Sequence, residues 1–302
     1  MRILTVLTYY RPHTSGLTIY AERLARALVR RGHEVTIMTT QYDRSLPRDE
    51  MMDGVHIIRV PVALRISKGV LAPTFGLVAT RLVMRHDVIH LHLPQFDAPG
   101  VALRARLMGK PVILTYHCDL NLPPGIFNRI VNLVVHFQNS LAGMLADHIV
   151  TYTRDYADHS RYLSRYRRKL SAILPPVELP GVSRDEIDKF TAQHQVGTRH
   201  PVIGMVTRFA AEKGVEILLD ALPYVLEKHP HAQVLFAGQH ENVLGEKPYH
   251  DRLMPRIREF EKGNYWNISF HSAAGWVTYF YNNTSINNYF GYSMNGGDNT
   301  LS

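Results

Sequence analysis

Two long cationic side chains stand between a predicted strand and a predicted helix. The strand is Val202–Thr207, a short apolar run with β-branched residues. The helix is Val215–Leu226, in which apolar residues recur at helical spacing. Arg208 and Lys213 lie in the turn, where backbone N–H groups and the positive end of the helix dipole converge. The pair predicts a binding site for a diphosphate, with two solvated loop charges as the alternative.

A histidine marks the end of another predicted strand. The run Pro111–His117 is apolar before its last residues, and polar Thr115 and Asp119 stand beside His117. His92 ends a further strand in the same way. The ligand crevice of an open parallel sheet lies at the carboxyl ends of its strands, and imidazole transfers protons near neutral pH. We therefore expect His117 to be catalytic, with a structural histidine as the alternative in a chain of 17 histidines.

Two glycines complete the set of candidate ligand-binding residues. Gly16 lies between the first predicted strand and the first predicted helix, and Gly204 lies inside the strand that precedes Arg208. A glycine at a helix N-terminus lets an anion approach the backbone closely. The loop before Gly16 has no G-x-G-x-x-G pattern, which argues against a nicotinamide or flavin dinucleotide.

Alternating strands and helices are needed to position these residues. The chain opens with a strand, a helix followed by Gly32 and a second strand, which is the unit of a doubly wound sheet. The predicted strands of the first half are Arg2–Thr8, Glu34–Thr39, Gly54–Val60, Asp87–Leu93, Pro111–His117 and Asp147–Tyr152. Its predicted helices are Leu17–Arg31, Val70–Met84, Ile126–Leu145 and Arg154–Lys169. The second half adds strands at Val202–Thr207, Gln233–Gly238 and Asn267–Phe270 and helices at Val215–Leu226 and His250–Glu261.

The segment Leu174–Val182 contains three prolines and one glycine and is typical of a hinge. We therefore expect one domain over residues 1–177 and a second, partial domain over residues 178–271. Residues 272–302 are rich in asparagine and aromatic residues, contain one charged residue and show no helical periodicity. We expect this last stretch to be an aberrant tail.

Charge is divided unequally between the two halves. The formal net charge of +8 combines 23 basic and 12 acidic residues in 1–177 with 11 basic and 14 acidic residues in 178–302. The basic half is suited to anionic lipid, an anionic acceptor or nucleic acid, and the alternative is a soluble surface without a specific partner. The cluster Arg165–Lys169 and the unusually apolar helix Ile126–Leu145 are candidate lipid contacts, although each is also compatible with an ordinary helix end or core helix.

Composition indicates a cytoplasmic protein. Cys118 is the single cysteine, which fits a reducing compartment. Met1 and Arg2 run directly into a strand, so we expect no signal peptide. We find no window of about 20 residues apolar enough to span a bilayer.

Four segments, in this order, resemble the glycosyltransferases of family 4, which have the GT-B fold. They are RILTVLTYYRPHTSG, DVIHLHLP, ILTYHCD and IGMVTRFAAEKGVEILLDAL leading to VLFAG. The resemblance covers residues 1 to about 271. It implies two Rossmann-like doubly wound domains, the first on the acceptor side and the second binding a nucleotide sugar. Most such enzymes retain the configuration of the transferred sugar.

The resemblance also implies roles for the candidate residues. The residues matching Arg208 and Lys213 neutralise the donor diphosphate, and Gly204 belongs to the same donor-binding segment. The residue matching His117 lies beside the reacting sugar, and the loop matching Gly16 closes over the donor phosphates. The sequence contains no Asp-x-Asp motif, so we expect a metal-independent mechanism without a cofactor.

Two departures from the family pattern stand out. Ser15 and Gly16 replace the usual pair of glycines in the first loop. More importantly, the acidic E-x7-E motif that holds the donor is absent, since no glutamate follows Glu261. We therefore expect the second domain to be incomplete, through a frameshift, a truncated gene or a fragment with an unrelated tail.

The predicted function, by ancestry, is transfer of a sugar from a UDP- or GDP-sugar to a glycan or lipid-linked acceptor. Because the donor domain lacks the acidic motif, we expect this chain to be unstable in its second half and inactive as a transferase. We expect a cytoplasmic enzyme, peripheral at the inner face of the membrane, with an anionic membrane surface as a partner and no nucleic acid. A sugar-nucleotide epimerase of the same fold and a non-catalytic fragment or binding module are the alternatives.

Overall fold

The computed structural model describes residues 1–66, 69–119, 125–178, 181–193, 196, 201–241, 243 and 246–262. The chain divides into two compact units, Met1–Pro176 and Val177–Ser302. The predicted domains 1–177 and 178–271 stay predictions. The predicted tail, 272–302, and the expected incompleteness of the second domain lie outside the described residues.

The first unit is built on an eight-stranded sheet with a short hairpin beside it. The twelve strands that the structure describes are β1 Arg2–Val6, β2 Glu34–Gln41, β3 Asp49–Met52, β4 Val55–Pro61, β5 Leu64–Ile66, β6 Gly69–Leu71, β7 Val88–Leu93, β8 Val112–Tyr116, β9 His148–Thr151, β10 Leu170–Ala172, β11 Val202–Val206 and β12 Gln233–Ala237. The order in the main sheet is β10-β9-β8-β7-β1-β2-β4-β3, and every pair is parallel except β3 with β4. Chain order therefore reverses between β1 and β7, which is where doubly wound sheets bind ligands.

Helices cover both faces of this sheet. The helices described in the chain are α1 Gly16–Arg30, α2 Phe75–Arg85, α3 Ala98–Leu107, α4 Ile126–Leu145, α5 Arg154–His159, α6 Arg184–Gln193, α7 Val215–Lys228 and α8 Lys247–Lys262, with 3₁₀ segments at Leu163–Lys169 and Ala211–Lys213. α1 packs with β2 and β4 in one apolar cluster. α2, α3 and α4 pack with β7 and β8 in another cluster on the other face. The α/β class and doubly wound arrangement predicted from the sequence are confirmed.

Strand alternation decides which residues enter each cluster. On β7, Ile89, Leu91 and Leu93 belong to the α2–α4 cluster. On β8, Val112 and Leu114 point to the same side. Since successive side chains of a strand point to opposite faces, the residues between them face the α1 side.

Two predicted helices are wrong in part. The first residues of Val70–Met84 form β6, and α2 begins only at Phe75, because Pro73 cannot donate a helical hydrogen bond and disfavours helix in the residue before it. The helix predicted over Arg154–Lys169 ends at His159, and Ser160 is extended where its hydroxyl donates to Asp119. The strand predicted at Asn267–Phe270 lies outside the described residues.

The described part of the second unit is small. β11 and β12 form a parallel pair, and α7 and α8 pack on it. The apolar cluster of this unit includes Phe209, Leu219, Phe236 and Leu253. The turn that follows β11 leads, through the 3₁₀ segment Ala211–Lys213, directly into the start of α7.

Candidate active site

Six side chains meet towards the carboxyl edge of the first sheet, on the face that α1 covers. His92 of β7 pairs in register with Thr115 of β8, and Thr115 pairs with Val150 of β9. One pleat further along are His117 and Tyr152, and Tyr20 comes from α1. The ring of Tyr20 lies 5.1 Å from the His117 ring and 5.8 Å from the His92 ring, edge to face in both contacts. We call His90, His92, Thr115, His117, Tyr20 and Tyr152 the histidine–tyrosine cluster.

Both ring nitrogens of His117 are hydrogen-bonded within this cluster. Its Nε2 lies 2.8 Å from Nδ1 of His92, and its Nδ1 contacts the hydroxyl of Tyr152. His90 is held separately, with Nε2 2.8 Å from the hydroxyl of Thr115. The structure therefore places His117 at the predicted strand end and fixes its ring from two sides.

Burial keeps the histidines neutral. It lowers the pKa of His90 to about 4 and that of His117 to about 3. It also lowers the pKa of His92, and the neighbouring histidines add to the effect. The lowered pKa values favour neutral imidazole rings at neutral pH, so the cluster offers hydrogen bonds from uncharged groups.

Tyr20, His90 and Tyr152 were not identified from the sequence. Tyr152 stands directly after β9 and Tyr20 lies in the second turn of α1, so no local motif joins them to His117. Alternation of side chains along β7 and β8 indicates which residues of each strand share a face. Which residues of different strands lie next to each other depends on the order of the strands in the sheet, which the sequence does not give. Burial raises the pKa of both tyrosines, so their hydroxyls stay protonated.

The loop between β1 and α1 is held by ion pairs and a helix cap. Arg11 Nε donates to Glu22 of α1 at 2.8 Å, and the buried Arg59 donates to the Arg11 carbonyl at 2.8 Å. Ser15 is the N-cap of α1 and its hydroxyl accepts from the Thr18 N–H at 3.2 Å. Gly16 is the first helical residue, and a Cβ built there meets nothing within 4 Å. Its position at the helix N-terminus agrees with the sequence, while its role in donor binding stays a prediction.

In the second unit, the turn after β11 depends on a glycine of the neighbouring strand. Gly238 follows β12 with φ of 152°, and a Cβ there would lie 1.8 Å from the Thr207 carbonyl oxygen. Two backbone hydrogen bonds continue the pairing, from Thr207 N–H to the Ala237 carbonyl at 3.0 Å and from Phe209 N–H to the Gln239 carbonyl at 2.8 Å. Gly238 therefore allows the backbone that carries Arg208 to lie against β12.

Arg208 and Lys213 occupy the two ends of this turn. The Arg208 guanidinium forms an ion pair with Glu212, and the side chains are 33% and 45% exposed. Lys213 ends the 3₁₀ segment, and Gly214, with φ of 66°, turns the chain into α7. Among the described residues Lys213 forms no ion pair. The predicted cationic turn is present, with one of its two charges paired.

The first turn of α7 is also contacted from α8. The Val215 N–H donates to the Tyr249 hydroxyl at 3.1 Å, and that hydroxyl also contacts the Glu216 carboxylate. The Glu246 carboxylate accepts from the Ala211 N–H at 3.2 Å. An anion that binds at this turn therefore lies near the cations Arg208 and Lys213 and also near acidic side chains. These are Glu212, Glu216 and Glu246.

Gly204 lies in the middle of β11, in register with Leu235. It is exposed, and a Cβ there meets nothing within 4 Å. Its position in the strand is the predicted one, and donor binding by Gly204 stays a prediction. Within the described ranges no three His, Cys, Asp or Glu side chains converge on a possible metal position.

A family profile described as glycosyl transferase 4-like domain matches residues 15–176. The matched segment contains the histidine–tyrosine cluster, helix α1 with its N-cap Ser15 and seven of the eight strands of the main sheet in full. This chain belongs to the glycosyl transferase 4-like family. The recognition made from the sequence is confirmed.

Relatives with similar sequences have names that describe them as glycosyltransferases. An uncharacterized glycosyltransferase of Methanocaldococcus jannaschii is 26% identical over 253 residues, which are 79% of this chain and 63% of the relative. A phosphatidyl-myo-inositol mannosyltransferase of Mycobacterium tuberculosis is 25% identical over 285 residues, 87% of this chain and 68% of the relative. The chain thus spans 63% of the length of the Methanocaldococcus relative.

Solved structures share the fold. An Anabaena protein whose crystal structure contains UDP and glucose matches with a TM-score of 0.62 and 17% identity, over 89% of this chain and 69% of that one. A UDP-GlcNAc 2-epimerase of Methanocaldococcus jannaschii matches with a TM-score of 0.53 and 11% identity, over 92% and 76%. The GT-B fold expected from the sequence is confirmed.

Proposed function

We propose that the chain is a retaining, metal-independent glycosyltransferase that takes a UDP- or GDP-sugar and transfers the sugar to a glycan or lipid-linked acceptor. The observation that carries this proposal is the turn between β11 and α7, where Arg208, Lys213 and the N-terminus of a 14-residue helix adjoin. Membership of the glycosyl transferase 4-like family supports it.

The turn is suited to the leaving group of the reaction. Transfer breaks the bond between sugar C1 and a diphosphate oxygen, so negative charge grows on the diphosphate. Cations and helix N–H groups held at that position stabilise the transition state more than the ground state. Arg208 exchanges its partner Glu212 for the diphosphate, and Lys213 supplies a second cation.

His117 acts in this proposal as a neutral, oriented group beside the reacting sugar. Burial lowers its pKa, which favours the neutral ring over a cationic acid at neutral pH. Tyr152 and His92 hold the ring from both nitrogens, so these two residues position His117. Gly16 and Gly204 bind on the donor side, as the family resemblance implies.

The acceptor is a glycan or a lipid-linked intermediate, with no nucleic acid as a partner. The excess of basic residues in the first 177 positions supports an anionic acceptor or an anionic membrane surface. We infer a cytoplasmic location, peripheral at the inner face of the membrane. The phosphatidyl-myo-inositol mannosyltransferase among the relatives supports a lipid acceptor.

Product analysis tests this function. The chain, extended to the full length of its relatives, is incubated with UDP- and GDP-sugars and with glycan and polyprenyl-phosphate acceptors, and nucleoside diphosphate and glycosylated products are measured. We expect a glycosylated product with retained configuration, made with EDTA present and lost in Arg208→Ala.

Each other outcome contradicts the proposal in a defined way. A nucleotide sugar converted without transfer indicates an epimerase. Binding of UDP or GDP without turnover indicates a binding module, and absence of binding to both nucleotides removes the diphosphate site itself.

A further inference from the structure

The α2–α4 face, defined as the exposed surface of helices α2, α3 and α4, carries no acidic residue. The three helices contain five arginines, Arg81, Arg85, Arg104, Arg106 and Arg129, and no aspartate or glutamate. Arg104 bonds Thr80 and Gly100, and Arg106 pairs with Asp147. Arg81, Arg85 and Arg129 are exposed and form no ion pair in the part of the chain described. One whole helical layer therefore has a positive surface.

Large apolar side chains project from the same face. On α4, Ile126 is 84% exposed, Leu133 71% and Phe137 62%. Their spacing of seven and four residues places them on one stripe of the helix, and exposed Ile130 belongs to it. Leu77 of α2 is 75% exposed. A contiguous apolar stripe of this kind marks an interaction surface.

The polarity of α4 is inverted relative to a helix that faces water. Asn139 is 1% exposed, and its Oδ1 and that of Asn132 are buried without a hydrogen-bond partner in the described residues. A surface helix ordinarily turns its apolar residues inward and its amides outward. On α4 the apolar side chains of the stripe point outward and the amide of Asn139 points inward. This arrangement indicates that an apolar medium covers the stripe in the functional state.

We propose that the α2–α4 face docks on an anionic lipid bilayer, with the α4 stripe inserted among the acyl chains and the arginines at the headgroups. Helices that carry exposed arginines and no acidic residue are complementary to anionic headgroups. Arginine keeps its charged end at the interface while its stem lies along apolar surface. No described helix is both long and apolar enough to cross a membrane, so the contact is made from one side.

The basic segment Arg165–Lys169, predicted as a lipid contact, also makes contacts within the protein. Arg167 pairs with Asp158 at 3.3 Å, and Lys169 Nζ donates to the carbonyl of Met144 near the end of α4. Tyr166 donates a hydrogen bond to the Ser140 carbonyl of α4, which holds this segment beside the helix. Its neighbours Arg165 and Arg168 are exposed. The segment supports the C-terminal half of α4 and adds two charges to the face.

Docking through α4 places the candidate active site near the bilayer. α4 follows β8 in a parallel sheet, so its N-terminus lies at the carboxyl edge where His117 stands. The exposed Ile126 and Ile130 are in the first turns of α4. This step rests on the proposed function, because a lipid-linked acceptor in that bilayer would approach the same edge.

Vesicle co-sedimentation tests the proposal on the full chain. Vesicles of phosphatidylcholine alone and of phosphatidylcholine with phosphatidylglycerol are compared for the wild type, Leu133→Gln/Phe137→Gln, and Arg81→Ala/Arg129→Ala. We expect binding to anionic vesicles to weaken at least about tenfold in both double variants. Ile217→Gln is the matched control, since Ile217 is 69% exposed on α7, and it should bind as the wild type does.

Several outcomes would overturn the inference. Equal sedimentation of the wild type and Leu133→Gln/Phe137→Gln, or no sedimentation at low salt, removes the bilayer as the occupant. A dimer in analytical ultracentrifugation that this variant dissolves assigns the stripe to a second copy of the chain. Calorimetry with UDP and GDP on the same samples separates the two proposals, because docking and nucleotide binding are measured independently.

Discussion

The candidate residues of the two units are held in opposite ways. In the first unit, the histidine–tyrosine cluster is mostly buried, neutral and linked by hydrogen bonds between strand ends. In the second unit, Arg208 and Lys213 are charged, partly exposed and placed by a backbone turn. The first arrangement depends on strand order and packing, and the second on two glycines. Each should therefore fail under a different perturbation.

Acid should affect the first unit most. The histidines have an ordinary pKa near 6.5 when unfolded, whereas burial lowers the pKa of His90 to about 4. Between these values the unfolded state binds more protons, so stability falls as the pH falls. We expect the loss to steepen below pH 6.5 towards a limit of about 1.4 kcal/mol per pH unit for each fully buried histidine, measured by urea unfolding at pH 7, 6 and 5 with far-UV circular dichroism.

A variant identifies the source of that pH dependence. His90→Gln removes one titrating ring while keeping a side chain able to reach the Thr115 hydroxyl, so its stability should vary less steeply with pH than that of the wild type. An unchanged slope would mean that His90 is not a main contributor to acid unfolding.

Gly238→Ala should have the next largest effect, and it concerns the second unit. The added Cβ would overlap the Thr207 carbonyl oxygen, and the backbone conformation disfavours alanine. We expect a loss of about 3 kcal/mol or more in unfolding free energy, together with weaker nucleotide binding. Gly16→Ala is the control, because a Cβ there has open space and alanine favours a helix by about 0.5–1 kcal/mol. Equal stability of the two variants would show that the turn does not depend on Gly238.

Removing the cations should leave stability nearly unchanged and weaken ligand binding. Each charge-assisted contact to a diphosphate contributes roughly 1.5–3 kcal/mol. Arg208→Ala and Lys213→Ala are therefore each expected to weaken UDP or GDP binding about tenfold or more in calorimetry. Lys228→Ala, at the far end of α7, should bind normally. Wild-type affinity in both test variants would contradict the diphosphate assignment.

The same difference between the two units explains which site residues can be predicted from the sequence alone. The Arg208–Lys213 turn is encoded within a single strand–turn–helix segment, so its residue types and spacing predicted it directly. His117 was identified because it ends an apolar strand. Tyr20 and Tyr152 could not be identified, since their contacts with His117 require α1 and β9 to be placed around it. The α4 stripe was visible as an apolar pattern, but whether it faced the core or the exterior depended on packing.

Glu212→Gln should produce the smallest change, and in the opposite direction. Glu212 holds the Arg208 guanidinium in a partly exposed ion pair, so a diphosphate must compete with its carboxylate. Exposed pairs of this kind contribute about 0–1 kcal/mol, which limits the gain in UDP or GDP affinity to about fivefold. The gain should shrink as salt is raised, because salt screens exposed charges. Asp251→Asn removes the carboxylate of another exposed pair, that of Lys247 at the start of α8, and should leave the affinity unchanged. Weaker nucleotide binding by Glu212→Gln would mean that Glu212 orients Arg208 for the ligand. The turn would then resemble the first unit, in which His92 and Tyr152 hold the ring of His117.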